Sequence, residues 1–300
     1  MKKIWGFVLL AWLAAVAGAQ TQGRGGAPGG SSAGDARGAL SEMDRAFENP
    51  DEELTPEDEY YLGRAVAAQI LKNYTLDSRN SAMISYLDKI CQAIAINSSR
   101  PSMFNGYHVG ILNTREINAF ATPGGHIFIT RGLLECADSE DALAAVIAHE
   151  LAHIQLRHAA LIIEDQQLAS ELSQVSGRAA TMAARNANPQ QRAALFNRSI
   201  SAMVTTLFKN GFAQDQEFDA DITAVKLLRD AGYDPAAMLG MLQLLAAAQP
   251  KTAGGFNTTH PSPAARIANV QKVSLAGRAN TRSARNARFA AFQKLLKAAP

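Results

Sequence analysis

Apolar residues recur at helical spacing in the first half of the chain. From Ser81 to Ile96 they fall three or four positions apart, which predicts an amphipathic helix. An earlier helix is predicted from Pro56 to about Lys72, because Thr55 can cap it and acidic residues follow in its first turn. The run from Ser139 to His158 contains no Gly or Pro and is rich in Ala and Leu, so it predicts a third helix.

Three shorter stretches either alternate apolar and polar residues or are continuously apolar, which is typical of β-strands. They cover 107–112, 116–121 and 126–130, and Pro123-Gly124-Gly125 supplies a turn between the last two. We therefore expect a small β-hairpin or sheet beside the third helix, in a fold that is mainly α (α+β).

The second half of the chain predicts further helices. Residues 164–208 are rich in Ala, Gln and Ser and predict two helices with a break at Pro189. Another helix is predicted from about 212 to 230, and Gly232 ends it. Gly254-Gly255 then form a hinge before a turn stiffened by proline.

The N-terminus has the pattern of an export signal. Two lysines precede an apolar stretch from Ile4 to Val16, and Ala17-Gly18-Ala19 offers a cleavage site. Because a membrane span needs about 20 apolar residues, we predict a signal peptide at 1–19, a periplasmic protein and no transmembrane segment in the mature chain. The sequence then predicts a flexible Gly/Ser-rich linker at 20–50, a domain at 51–273 and a basic C-terminal helix or tail at 274–300.

Composition narrows the function classes. The 300 residues are 47% hydrophobic and carry a formal net charge of +2, which is ordinary for a globular protein and does not indicate a nucleic-acid partner. The basic tail is explained either by a solvated helix or by contact with anionic membrane or nucleic acid. Cys91 and Cys136 can pair or remain free thiols, and without a C-x-x-C pair a thiolate metal site is not supported.

The strongest chemical signal is the string H-E-L-A-H inside the third helix. His149 and His153 lie one turn apart on one helix face and can bind one metal ion, with Glu150 beside the remaining coordination position. Zinc held in this way acidifies a water molecule, and Glu150 is then the general base. Such a site needs a third protein ligand.

A pair of carboxylates supplies the candidates for that ligand. Glu217 and Asp221 share a helix face, where two acidic groups repel each other unless a cation lies between them. One can coordinate the metal while the other accepts the second N–H of a ligand histidine and fixes its tautomer. His126 lies in a predicted strand and is not expected to be a ligand. His158 is about 100° of helix away from a third imidazole position, which leaves it a role at the surface or behind a ligand.

The order of these motifs resembles that of a known protease family. The chain is similar to the HtpX-like and Oma-like zinc metalloproteases, gluzincins that include the CAAX prenyl protease, and the nearest likeness is to soluble periplasmic BepA-like members without their TPR repeats. The motifs that carry the resemblance are H-E-L-A-H with Arg157-His158, E-x-D-A-D from Glu217, N-A-F-A-x-P-G-G from Asn118, and Thr259-His260-Pro261 with Arg266.

The resemblance implies a zincin-like helical metalloprotease domain with one zinc ion per chain. It implies that His149, His153 and Glu217 bind the zinc. By the same resemblance Glu150 is the base and Asp221 orients a ligand.

The resemblance also assigns roles outside the metal ligands. His260 is expected to act as a removable fourth ligand or as an oxyanion partner, and Arg266 to support the active-site cleft. The alternative for His260 is a capping residue before a helix that starts at proline. An exposed sheet edge would hold the substrate backbone as an added strand, and the residues expected there are Asn118, Ala119 and Phe120.

The sequence therefore predicts an exported zinc metalloendopeptidase that hydrolyses unfolded or misassembled envelope proteins in protein quality control. The alternative is a noncatalytic, metal-containing envelope chaperone. Glu150 argues against that alternative, because a binding protein needs the ligands and not the base. The resemblance also allows peripheral association with the membrane or with outer-membrane assembly machinery.

Overall fold

The computed structural model describes residues 54–78, 81–164, 200, 204–205, 211–248, 260, 262–276 and 282–298. Several predicted segments lie outside the described residues: the signal peptide, the linker, most of the two helices between 164 and 208, and the glycine hinge at 254–255.

Helices dominate the described residues. Their bounds are α1 Pro56–Asn73, α2 Ser81–Ala95, α3 Arg131–Cys136, α4 Glu140–Gln155, α5 His158–Glu164, α6 Gln214–Asp230, α7 Ala237–Ala248, α8 Pro263–Val270 and α9 Arg282–Ala298. A small sheet accompanies them, so the predicted fold class is confirmed. Within these stretches no helix combines the length and apolar character that crossing a bilayer requires.

The sheet has three strands, β1 His108–Leu112, β2 Ala119–Thr122 and β3 His126–Thr130. β2 and β3 form the predicted hairpin around a 3₁₀ turn at Pro123–Gly125. β1 pairs with the other side of β3 in parallel, so the sheet is mixed, with the order β1-β3-β2. β2 therefore lies at an edge of the sheet, where it contacts α4.

The central element of the fold is α4. Ser139 caps this helix by accepting a hydrogen bond from the N–H of Ala142 at 3.1 Å, and acidic side chains occupy the first turn, where the helix dipole favours negative charge. Every residue of α4 except Asp141 and Gln155 is buried, because α2, α6, α7, α9 and β2 pack around it. Any chemistry on α4 therefore takes place inside the core.

The end of α4 differs from the sequence prediction. The predicted helix continued to His158, whereas the observed helix ends at Gln155 and Arg157 adopts a left-handed φ of 58°. Non-glycine residues rarely adopt this conformation. A contact from α1 holds it here, since Nε of Arg157 donates to Oε1 of Glu59 at 2.7 Å. The chain changes direction at Arg157, and His158 begins a new helix, α5.

α1 packs backbone to backbone on the turn between β2 and β3. A Cβ atom at Gly63 would overlap the carbonyl oxygen of Pro123. A Cβ atom at Gly124, which has a φ of 74°, would likewise overlap the backbone of Tyr60. Because both positions lack a side chain, the helix can touch the turn and fix the end of the edge strand.

The basic C-terminal helix α9 is packed on the core. Three of its apolar side chains are buried, namely Phe289, Phe292 and Leu296. Arg285 pairs with Asp141 at 2.7 Å, and Arg288 pairs with the buried carboxylate of Glu140. Both acidic partners lie in the first turn of α4, so α9 supports the start of the central helix.

The two cysteines are free thiols. Cys91 is buried in the core beside α4, and Cys136 ends α3 with a partly exposed side chain. Burial raises the pKa of both thiols. Of the two alternatives that the sequence left open, the structure contains the unpaired thiols.

Candidate metal centre

Three segments bring metal-binding side chains to one point in the core. α4 presents His149 and His153 one turn apart, as the motif predicts. α6 packs along α4 and presents Glu217, and the segment before α8 supplies His260. Each of these four side chains is buried and offers one donor atom, and the four donor atoms lie within 4.8 Å of one another.

The distances between three of these donors suit a single metal ion. Nε2 of His149 lies 3.0 Å from Nε2 of His153, and the Glu217 oxygens lie 3.5 Å and 3.4 Å from the same two nitrogens. Zinc binds nitrogen and oxygen at about 2.0–2.2 Å in a tetrahedron, and the edge of such a tetrahedron is about 3.3 Å. The residues therefore fit a zinc ion.

His260 joins this group through Glu217. Nδ1 of His260 lies 2.6 Å from Oε1 of Glu217, and its ring centre lies 5.4 Å from that of His149. The N-cap of α8 is Ser262, two residues after His260. His260 is thus placed where it can act as a fourth donor.

Arg266 on α8 holds both carboxylates of α6. Its Nε and one terminal nitrogen donate to the two oxygens of Asp221 at 2.9 and 2.6 Å, and its other terminal nitrogen lies 3.2 Å from Oε2 of Glu217. Asp221 in turn lies 3.1 Å from Nδ1 of His149. This is the geometry of a carboxylate that orients a ligand imidazole from behind.

Glu150 faces the group with an oxygen that lacks a partner. Its side chain is 1% exposed, and Oε2 accepts no hydrogen bond in the described part of the chain. Burial raises the pKa of this carboxyl group, while the positive field of His149 partly opposes the increase. A buried oxygen in this state is suited to accept a proton during a reaction.

Neighbouring charges set the protonation of the donors. Burial lowers the pKa of His153 to about 3, so the ring is neutral at pH 7. Burial would raise the pKa of Glu217, but the charges of His260 and Arg266 hold it well below its ordinary value. Neutral imidazoles and ionised carboxylates are the forms that bind metals.

His149 differs from His153 in its protonation. Burial and the Arg266 guanidinium both lower the pKa of His149, but hydrogen bonds to Asp221 and Glu217 outweigh them and raise it to about 9. A metal that binds Nε2 of His149 must therefore displace a proton.

The formal charges also indicate a cation. Three buried carboxyl groups, those of Glu150, Glu217 and Asp221, meet one buried guanidinium, that of Arg266. Buried charges are normally paired. One divalent ion that displaces the proton of His149 would compensate the two negative charges that remain.

The predicted substrate-binding residues lie in and just before the edge strand β2. Asn118 precedes β2 and bonds Glu116 and Thr130, and the strand then continues through the buried Ala119 and Phe120. Farther along the strand, Ala121 and Thr122 line a small cavity together with His153. That cavity wall was not apparent from the sequence, since it depends on how β2 lies against α4.

The sequence did not assign His126 and His158 as metal ligands, and neither belongs to the donor group in the structure. His126 lies in β3, stacks on Tyr60 with ring centres 5.7 Å apart and takes no part in the donor group. His158 lies directly behind His153, with the two Nδ1 atoms 2.9 Å apart. Phe212, which no sequence signal marked, stacks on the face of His153 with ring centres 4.1 Å apart.

Comparison with known proteins places this site in a family. The model described as peptidase family M48 matches residues 81–274. The chain belongs to peptidase family M48. The predicted resemblance is therefore confirmed, and the matched region contains all the donors of the group. M48 peptidases are metal-dependent, and the His and Glu side chains of this chain form a group that could hold a metal ion.

Curated relatives of this M48 chain come from bacteria and mitochondria. The β-barrel assembly-enhancing protease of Escherichia coli is 32% identical over 167 residues, which cover 55% of this chain and 34% of that protein. The Yersinia pestis protein of the same name is 29% identical over 194 residues, 63% of this chain and 38% of the relative. The mitochondrial metalloendopeptidase OMA1 of Schizosaccharomyces pombe is 30% identical over 157 residues, 52% of this chain and 43% of the relative. The chain thus spans between a third and a half of the length of these relatives.

Proposed function

We propose that this M48 chain is a zinc metalloendopeptidase with one zinc ion, exported to the periplasm, where it hydrolyses unfolded or misassembled envelope proteins. The observation that carries the proposal is the convergence of His149, His153 and Glu217 beside Glu150, whose Oε2 accepts no hydrogen bond from the described residues. The Escherichia coli relative is named for enhancing β-barrel assembly, which supports a role in envelope protein quality control.

The proposed ligands are His149, His153 and Glu217, whose buried donors have the spacing that zinc prefers. When bound, zinc supplies a Lewis acid that polarises a peptide carbonyl and makes a water molecule acidic. Asp221 holds the ring of His149 through Nδ1, and Arg266 fixes Asp221 by two hydrogen bonds.

Glu150 is the proposed general base. Its Oε2 accepts the proton of the attacking water and then delivers it to the nitrogen of the departing amine. Burial, which raises its pKa, brings the carboxyl group closer to the pH at which it can both take and release a proton. The ion pair with Arg266 helps to keep Glu217 ionised.

Substrate binding is assigned to the edge strand. β2 is an edge strand of the sheet, and an edge strand can pair with an extended peptide, which supplies affinity through the backbone and accepts many side-chain sequences. We assign this role to Asn118, Ala119 and Phe120, continuing to the cavity at Thr122. An unfolded protein chain is the kind of substrate that presents such an extended segment.

His260 is proposed as a removable fourth ligand. Its hydrogen bond to Glu217 places it inside the donor group, where it would occupy the position that the attacking water needs. The second role, a partner of the oxyanion, requires the segment before α8 to move away from Glu217. The structure favours the blocking role because of the direct contact.

Casein digestion by the purified protein tests the proposal. We expect cleavage that stops with chelator and returns with zinc. Glu150→Gln should retain zinc and lose cleavage, whereas Glu217→Ala should lose both. Glu135 is an exposed glutamate on α3, so Glu135→Gln serves as the matched control and should cleave normally.

The same casein assay distinguishes the protease from the alternative, a noncatalytic chaperone. A noncatalytic chaperone would suppress casein aggregation without cleaving it, and Glu150→Gln would behave like the unaltered protein. Cleavage by Glu150→Gln at the rate of the control would assign the base to another residue. Full zinc occupancy in Glu217→Ala would show that the third ligand lies elsewhere.

A further inference from the structure

The imidazole of His158 packs behind a proposed zinc ligand because of the backbone turn after α4. The left-handed conformation of Arg157 ends one helix and starts the next, and its ion pair with Glu59 fixes that turn to α1. The side chain of His158 consequently points back along α4 and reaches His153, five residues earlier. A continuous helix would have carried His158 away from that ring.

The contact between the two rings requires one hydrogen bond, with a proton on one Nδ1 atom and a lone pair on the other. The Nδ1 atoms of His153 and His158 are 2.9 Å apart, and the rings meet edge to face at 70°. Two N–H groups or two lone pairs at this distance would repel, so one nitrogen donates and the other accepts. Both residues are buried, at 1% and 4% exposure, and in the described residues Nδ1 of His153 has no second hydrogen-bond partner.

The opposite side of His153 decides the direction of this hydrogen bond. Its Nε2 faces Nε2 of His149 and Oε1 of Glu217, so a bound metal takes the lone pair of Nε2. A neutral imidazole carries one proton, which must then lie on Nδ1. Nδ1 of His153 is therefore the donor and Nδ1 of His158 the acceptor.

We propose that His158 is a positioning residue for the metal site, which accepts the Nδ1–H hydrogen bond of His153 and fixes the tautomer and orientation of that ligand. The inference rests on the proposed zinc site. It gives the two ligand imidazoles different supports, since a carboxylate, Asp221, holds His149 and a neutral imidazole holds His153. Phe212 stacks on the face of His153 and restricts its rotation from the side.

Two substitutions separate the hydrogen bond from the packing. His158→Asn keeps a polar acceptor near the position of Nδ1, whereas His158→Phe keeps a ring of similar size without an acceptor. Loss of a group that orients a metal ligand weakens metal binding by roughly 10–100-fold. We expect this loss in the Phe variant and recovery of most of the affinity in the Asn variant.

The measurement is the zinc dissociation constant of the purified protein, determined by competition with a chromophoric chelator. His108 lies in β1, outside the donor group, and bonds the carbonyl of Asn105, so His108→Phe is the matched control and should bind zinc normally. Thermal melts with zinc present show whether each variant folds.

A second readout does not depend on the variants. In the zinc-loaded chain with ¹⁵N-labelled histidine, a coupling should appear between the Nδ1 nuclei of two different rings, and only six histidines contribute signals. If His158→Phe fails to fold, the presence or absence of this coupling decides the question.

The outcomes distinguish the inference from the proposed function. An unchanged dissociation constant in a folded His158→Phe variant, or a missing coupling in the zinc-loaded chain, overturns the inference and leaves the protease proposal standing. Equal loss in the Asn and Phe variants also overturns it, because packing alone would then explain the effect. Failure of the unaltered chain to bind zinc removes both.

Discussion

Replacing Arg266 by methionine should destabilise the protein strongly when zinc is removed. The guanidinium is 1% exposed and bonds Asp221 at 2.9 and 2.6 Å, with Glu217 at 3.2 Å. Methionine fills much of the same space but leaves two buried carboxylates without the guanidinium that pairs with them. Breaking a buried ion pair in this way costs about 3–5 kcal/mol, so we expect a loss of this size in the free energy of unfolding in chelator.

Saturating zinc should reduce that loss. A guanidinium and a divalent ion at an assumed separation of about 5 Å repel by about 7 kcal/mol at an effective dielectric constant of about 20. The Arg266→Met variant would also orient Asp221 less well, which weakens zinc binding by roughly 10–100-fold, or about 1.4–2.7 kcal/mol. Because the first effect is the larger, zinc should stabilise the variant more than it stabilises the unaltered protein.

Urea denaturation followed by circular dichroism, in chelator and in zinc, measures both effects. Arg229 is exposed and, among the described residues, donates to the backbone carbonyls of Ser274 and Ala276, so Arg229→Met is the control and should change the stability by less than about 1 kcal/mol. A loss below about 1 kcal/mol for Arg266→Met in chelator would refute the reasoning about buried charge. An equal loss in zinc and in chelator would show that Arg266 does not share its carboxylates with a metal.

Three further predictions concern other parts of the fold and the site. Gly63→Ala should lower the free energy of unfolding by more than about 4 kcal/mol, because the new methyl group would overlap the backbone of Pro123. Gly240 lies in a helix with open space around it, so Gly240→Ala should raise the free energy of unfolding by about 0.5–1 kcal/mol. Similar urea midpoints for the two variants would contradict the close packing of α1. Asp221→Asn should weaken zinc binding by roughly 10–100-fold in a chelator competition, and an unchanged constant would remove its role behind His149. His260→Ala should increase the rate of casein cleavage if the residue blocks the site, and a decrease of about 10²–10³-fold would instead assign it to the oxyanion.

The local features of the chain were predicted well from the sequence. Thr55 caps the first helix, and Gly232 follows the end of α6, as expected. The hairpin forms at its predicted turn. These features depend on neighbours within a few residues, so composition and spacing contain the information that decides them.

The sequence predicted which residues form the candidate metal site, but not how the helices that carry them pack together. Spacing alone placed His149 with His153, and Glu217 with Asp221, because residues four apart share a helix face. Packing of α6 against α4 then brings the two pairs together, and the contact of Arg266 with Asp221 joins residues 45 positions apart. The roles of individual side chains in the site remain predictions for the experiments above.

The sequence by itself determined the central parts of α1, α2, α4 and α6, the cap of α1, the turn glycines and the chemical character of the donors, since each follows from residues close together in the chain. Only the tertiary structure decided where α4 ends, because Arg157 is held in its left-handed conformation by Glu59, 98 positions earlier. The same applies to the parallel pairing of β1 with β3 and to the arginines of α9 that pair with the start of α4. Local periodicity carries no information about such pairs, since they form only when distant segments pack and burial makes an unpaired charge or backbone group costly.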